Sequence, residues 1–264
     1  MSTRRPDATR PVDGPVDGPV DGPVDGRAAE QAATVIEGVV EQVFHSVTAV
    51  RDTLLAAHRA ARERGEPMCD RDITAMRGRL LDLLTGEREV AVGMGVITAP
   101  GLLADRPLHL EWWQSEPDRH HPVRLEVDLN PHSVGFYDYA AAEWFVVPRR
   151  TGRRHVVGPY VDVHGTHRYL LTLTVPVVAD GEFLGVAGAD VPVARFETLV
   201  LRELGDLAVD VVVVNPEDRV VLSTSARSLA GSLMILDADA DDDAGEVRII
   251  SLPDPPWRIV VSPG

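Results

Sequence analysis

From Ile36 to Ala57 the apolar positions follow one helical face. Ile36, Val40, Val43, Val47, Val50, Leu54 and Ala57 alternate between spacings of four and three, which keeps them on one side of a helix. Val35, Val39 and Phe44 widen the seam into a stripe suited to docking on a sheet. A homodimer seam is the alternative reading. Gly65 and Pro67 end this helix. Asp70 or Asp72 can cap a second one through Leu84, with Ile73, Met76, Leu80 and Leu83 or Leu84 on one face. The period then changes to two. It predicts strands over Val90–Thr98, Leu108–Gln114, Val123–Leu129, Tyr169–Val178 and Phe183–Ala189. Asp180-Gly181 joins the last two as a hairpin turn, because glycine accepts the positive φ such turns require. A helix over Ala194–Leu204 precedes four more strands, Val209–Val214, Arg219–Ser223, Val247–Leu252 and Trp257–Val261. The turn Asn215-Pro-Glu-Asp218 joins the first two of these.

Hairpin-linked strands behind long N-terminal helices indicate an α+β fold with an antiparallel sheet, not alternating βαβ units. The chain has 264 residues, enough to bury a real core, and a single domain is expected over 28–264. Residues 1–27 read as a disordered tail. Within it, 11–26 are four copies of Pro-Val-Asp-Gly, and one Val per repeat builds no core while Pro and Gly break helix and strand.

Composition narrows the function. A net charge of −15 argues against nucleic acid or an anionic membrane as partner. All 26 basic residues are arginine, so P-loop, Schiff-base and general-base lysines are excluded. Cys69 is the only cysteine; an internal disulfide and a cysteine metal cluster are excluded, and a reduced, cytoplasmic setting is expected. No run of 18 apolar residues spans a bilayer, and no apolar stretch follows Arg4-Arg5 as a signal peptide requires. Gly-x-Ser-x-Gly, His-Glu-x-x-His and Gly-x-Gly-x-x-Gly are all missing. A non-enzymatic chain without a cofactor is expected. Gly93-Met-Gly95 inside a strand pattern reads as close backbone packing.

Three polar clusters each have a plain reading and a chemical one. Asp237, Asp239, Asp241, Asp242, Asp243 and Glu246 read as a solvated loop, since the segment lacks the glycine and distant Glu of a calcium loop. His164 and His167 with Asp162 offer two imidazoles and a carboxylate to a divalent ion in a metal-assisted enzyme; the plain reading is a polar hairpin tip, and no metal is assigned. The run from Arg149 to His155 offers guanidinium forks to a phosphate or carboxylate, against a solvated loop.

The strongest constellation is aromatic and acidic. Tyr137, Trp144 and Phe145 lie close together, with Tyr160 and Tyr169 following, in a chain that is only 5% aromatic. Asp190 ends the apolar run from Phe183, where a carboxylate must reach solvent or find a partner. It either caps the helix that follows or accepts a ligand ammonium, with cation–π support from the rings.

The order of these residues resembles the ligand-binding core of Cache domains, small-molecule sensor modules of many bacterial receptors. It runs from Tyr137-Asp-Tyr-Ala-Ala-Ala-Glu-Trp144-Phe145 through Gly158-Pro-Tyr160-Val-Asp162 and Arg168–Pro176 to Gly185-Val-Ala-Gly188-Ala-Asp190. The resemblance implies a PAS-like antiparallel sheet preceded by a long helix. In members that bind amino acids, a Tyr, an Arg five positions on, a Trp-Tyr pair, a later Tyr and an Asp after a Gly-x-x-Gly strand hold the ligand. Tyr137, Trp144 and Asp190 match, Phe145 replaces the second Tyr, Tyr160 or Tyr169 is the later Tyr, and Ala142 replaces the Arg. The ammonium half of such a site survives and the carboxylate half does not. The resemblance thus implies a small amine as ligand, with Asp138 and Glu143 as extra negative charge for a diamine. Without an output domain, signalling would go through a partner, such as a regulator or transporter component, with the N-terminal helix as dimer or partner surface.

Overall fold

The computed structural model describes residues 26–86, 90–116, 119–163, 168–205, 207, 209–234 and 247–264. The Pro-Val-Asp-Gly repeats up to Asp25, His164, His167 and the acidic run from Asp237 to Glu246 lie outside these residues.

The first helix, α1 (Gly26–Glu63), carries the predicted stripe, and the whole seam from Ile36 to Leu54 is buried inside the molecule. Docking therefore consumes the surface that a coiled-coil dimer would need, and a homodimer through α1 would have to use its polar face. The second helix is broken into α2 (Asp70–Thr74) and α3 (Arg77–Leu84) at Ala75-Met76.

The strands form two antiparallel sheets, a division the strand pattern does not announce. The first contains β1 (Gly93–Thr98), β2 (Leu110–Gln114), β3 (Val123–Arg124), β4 (His155–Val161), β5 (Tyr169–Ala179) and β6 (Glu182–Pro192), in the order β3-β2-β1-β6-β5-β4. The second contains β7 (Val209–Val214), β8 (Val220–Ser223), β9 (Arg248–Ser251) and β10 (Arg258–Pro263), in the order β8-β7-β10-β9. The helix α5 (Val193–Leu204) connects them. One apolar core runs along α1 and takes in residues of both sheets.

Strand alternation divides the large sheet into two faces. Leu171, Leu173 and Val175 of β5, Ala187 and Ala189 of β6, and Met94 and Val96 of β1 pack in the core shared with α1. Ile97, Leu110, Trp112 and Val186 pack on the other side, under Tyr139, Trp144 and Phe145. β2 is pinned from outside by an ion cluster: fully buried Glu111 accepts from Arg77 Nε at 2.6 Å and Trp113 Nε1 at 2.9 Å, with Arg124 Nε at 3.2 Å. Burial opposes the charge on Glu111, but His109, these hydrogen bonds and Arg124 outweigh it and hold the carboxyl down at about 2.

Two elements depart from the pattern. The alternation over Val123–Leu129 is real, yet only Val123–Arg124 pairs with β2. Beyond the Leu125 N–H bond to Trp112 O the chain leaves the sheet, and Leu125, Val127 and Leu129 pack onto the second face. The run from Glu143 to Thr151 forms a helix, α4, although Pro148 lies inside it. Proline supplies no N–H for the carbonyl of Trp144, four residues earlier. The Thr174 hydroxyl of β5 donates to that oxygen at 2.9 Å instead, so one side chain completes α4 and ties it to the sheet.

Candidate functional site

The second face of the large sheet supplies the floor of a site. Thr172 of β5 pairs with Asp190 of β6, which pairs with Gly93 of β1. A Cβ on Gly93 would lie 2.8 Å from Trp112 Nε1 and 3.1 Å from Asp190 Oδ2. The Gly-Met-Gly run is thus close packing, as expected, and it lets the indole lie beside the carboxylate. The wall comes from the chain between β3 and α4, which brings Tyr137 over the floor, from the first turn of α4, which brings Trp144, and from β4, which brings Tyr160. Within β4 a bulge separates Val157 from Tyr160. Gly158 there has φ +117°, and its carbonyl accepts from Asn215 Nδ2, in the turn between β7 and β8, at 3.0 Å.

These side chains surround a cavity of about 30 Å³, lined by Tyr137, Trp144, Tyr160, Asp162, Thr172 and Asp190 over Ile97, Leu110 and Trp112. Asp190 is only 6% exposed. The Thr172 hydroxyl donates to its Oδ1 at 2.7 Å, and the Tyr160 hydroxyl lies 2.8 Å from Thr172 Oγ1. An ionised carboxylate only accepts, and Thr172 has one proton to give. The relay therefore runs Tyr160 to Thr172 to Asp190. Burial pushes the Asp190 carboxyl up to about 7, with the charge of Asp162 adding to the rise. Thr172, the Trp112 indole and the charge of Arg168 pull it back. The Trp112 N–H favours the carboxylate from nearby but stops short of hydrogen-bond geometry, and it is buried without a hydrogen-bond partner. Burial, together with the charges of Asp162 and Asp190, raises the phenols of Tyr137 and Tyr160 as well, so both stay neutral donors.

Of the residues singled out in the sequence, Tyr137, Trp144, Tyr160 and Asp190 come together. Asp190 does not cap α5, whose N-cap is Pro192. Tyr169 is elsewhere: alternation puts it on the α1 side of β5, packed against the core shared with the second sheet, with its hydroxyl under Gly231. Phe145 is fully buried core, edge-on to Tyr139 at 5.4 Å and Phe183 at 5.5 Å. Glu143 points away and bonds His155 Nε2 at 2.8 Å. Asp138 lies further out, on a wider groove continuous with the cavity. Arg154, in the basic run, is a structural clasp: it sits 4.3 Å from the Phe44 ring centroid, bonds Glu41, and reaches Asp254 Oδ2 at 2.8 Å. Trp112, Thr172 and Thr174 were not singled out. The alternation Leu-Thr-Leu-Thr in an otherwise apolar strand is the signal that marks the threonines; Trp112 carries none. Among the described residues no group of three or more His, Cys, Asp or Glu side chains is placed to hold a metal, and no helix is long and apolar enough to cross a membrane.

No protein-family model matches the chain. A stretch of 112 residues, 40% of this chain, is 30% identical to the methyl-accepting chemotaxis protein TlpQ of Pseudomonas aeruginosa, and covers 16% of that receptor. Among solved structures, a methyl-accepting chemotaxis protein X superposes with a TM-score of 0.61 at 15% identity, over 89% of this chain and 96% of that one. The ligand-binding domain of the amino acid chemoreceptor PctB of P. aeruginosa PAO1, in complex with L-Gln, superposes with a TM-score of 0.54 at 14% identity, over 91% and 90% of the two chains. A long helix followed by an antiparallel sheet, with these likenesses across nearly the whole chain, is the fold of the Cache-type sensor domains of chemoreceptors.

Proposed function

We propose that this chain is a non-enzymatic sensor domain that binds a small amine and passes the signal to a partner protein. The observation that carries this reading is Asp190, a carboxylate at the floor of a cavity walled by Tyr137, Trp144 and Tyr160. A buried acid with a single hydroxyl donor is costly alone, and an ammonium is the group that neutralises it. A charge-assisted hydrogen bond contributes roughly 1.5–3 kcal/mol, and the aromatic faces add about 0.5–2 kcal/mol by cation–π contact. PctB carries L-Gln, which has both an ammonium and a carboxylate. Here Ala142 stands where the resemblance places the carboxylate-holding Arg, which favours an amine over an amino acid. A pocket decayed into an interaction module would be filled and dry, whereas this one keeps a polar floor.

The test is a thermal-shift screen of amines, polyamines, amino acids and purines on the wild-type chain and on Asp190→Asn. An amine at a hundredfold its Kd is expected to add about 2.7 kcal/mol, and the substitution to abolish the shift. A shift confined to amino acids or purines, or one that survives Asp190→Asn, rejects the reading.

A further inference from the structure

The wider groove outside the cavity, about 620 Å³ in volume, leads onto the outer face of α4. Ala142, the N-cap of α4, lines the groove, and exposed Val146, Arg149 and Arg150 follow it. They lie four, seven and eight residues after Ala142, so they form one stripe along the helix. Exposed Arg153 comes just past its end, beyond the left-handed Gly152. The stripe has a charge order. Exposed Glu126, Asp128 and Asp138 stand in the groove at its start, and the three arginines stand at its end. Between them the surface is apolar: Val146 is 37% exposed, and Val134, Val161 and Val163 in the groove are more exposed still. None of these acids and none of the three arginines makes an ion pair among the described residues, whereas Arg154, next in the run, is paired with Glu41 and Asp254.

Exposed apolar surface rimmed by charge is the anatomy of an interface, and the charge order says what covers this one. A basic partner suits the groove and is repelled by the arginines; an acidic partner does the reverse. The surface that suits both ends carries the same order reversed, and a second copy turned about a two-fold axis presents it. The nine residues of α4 span about 13 Å along the helix, short enough for one contact to take in both ends. We propose that α4 is a homodimer interface, in which two copies pack α4 antiparallel about Val146 and the arginines of each enter the acidic groove of the other. Every charge contact then occurs twice. The net charge of −15 opposes indiscriminate self-association, so the contact rests on this local order. Trp144 and Tyr160 line both groove and cavity, so the dimer covers the mouth of the site, and it leaves α1 unused.

Sedimentation velocity over a concentration series tests this. The wild-type chain is expected to pass from monomer to dimer as concentration rises. Arg149→Glu with Arg150→Glu sets acid against the groove, and Glu126→Arg with Asp138→Arg sets base against the arginines. Each double variant is expected to weaken the dimer at least about tenfold, the scale of like charges facing across an interface. An equimolar mixture of the two restores opposite charges at both contacts and is expected to regain the wild-type dimer. Val146→Glu, a single exposed change that brings two carboxylates together at the axis, is expected to weaken the dimer to a similar extent and does not depend on either double variant folding. A wild-type chain that stays monomeric up to about 1 mM overturns the interface and leaves the amine reading standing. A dimer that Val146→Glu leaves intact overturns it too, as does a mixture that stays monomeric while both double variants keep the wild-type circular dichroism.

Discussion

The two faces of the six-stranded sheet are built from alternate residues of the same strands, yet they serve opposite ends. On the α1 face, Leu171, Leu173, Val175, Ala187 and Ala189 form a continuous apolar layer. On the other, Thr172, Thr174, Asp190 and Trp112 interrupt the apolar surface with groups that need partners. The difference teaches where this fold gains stability and where it gives some up. The α1 face contributes burial of roughly 25 cal/mol per Å². The site face holds an acid whose charged form the fold disfavours.

The sharpest test of that contrast is the pH dependence of stability. Asp190 has a folded value of about 7 against a usual 3.8, so between these values the folded chain keeps a proton the unfolded chain has lost. Its contribution therefore falls as pH rises from about 4 to about 7 and is flat above, a loss of about 4 kcal/mol. Asp190→Asn is expected to remove this slope and to leave the ligand-free chain more stable at pH 8, measured by urea unfolding at pH 5 and pH 8. A variant less stable than wild type at pH 8 would mean the carboxylate is held by protein contacts, not kept for a ligand. On the opposite face, Leu173→Ala is expected to cost about 3 kcal/mol of unfolding free energy with amine affinity intact; a loss of binding as large as the loss of stability would show the faces coupled. The smallest effect belongs to Tyr160→Phe, which removes the outer donor of the relay for about 1 kcal/mol. It is expected to weaken amine binding several-fold while lowering the melting temperature by only about 2–4 °C.

The contrast also explains which parts could be read in advance. The α1 stripe, the paired strands around Asp180-Gly181 and the strands of the second sheet follow local periodicity, and each is where the pattern puts it. α4 was missed because Val146, Val147 and Pro148 disfavour a helix locally, and the helix depends on a hydroxyl from Thr174, 30 residues from the carbonyl it satisfies. β4 was missed in the same way: it follows a run of arginines and is broken by Gly158-Pro159, so that its pairing with β5 alone identifies it. The expected strand over Val123–Leu129 shows the converse. Alternation specifies which side chains point inward, but not whether the backbone pairs.

Within the site, the resemblance to Cache domains singled out Tyr137, Trp144, Asp190 and either Tyr160 or Tyr169, because each lies in a motif of local order. Tyr169 looked equally suitable until strand parity against Asp190, visible only once Thr172 is known to be its partner, placed it on the other face. Trp112 lies some eighty residues before Asp190 and joins it only because β1 carries a glycine between them. Periodicity, turn chemistry and composition act over a few residues, so the chain's pattern was sufficient for element type and for the inward faces. The division into two sheets, the face each aromatic occupies, the raised Asp190 carboxyl and the acidic groove leading to it depend on burial and on charges brought together across the chain, and only the folded structure decided those.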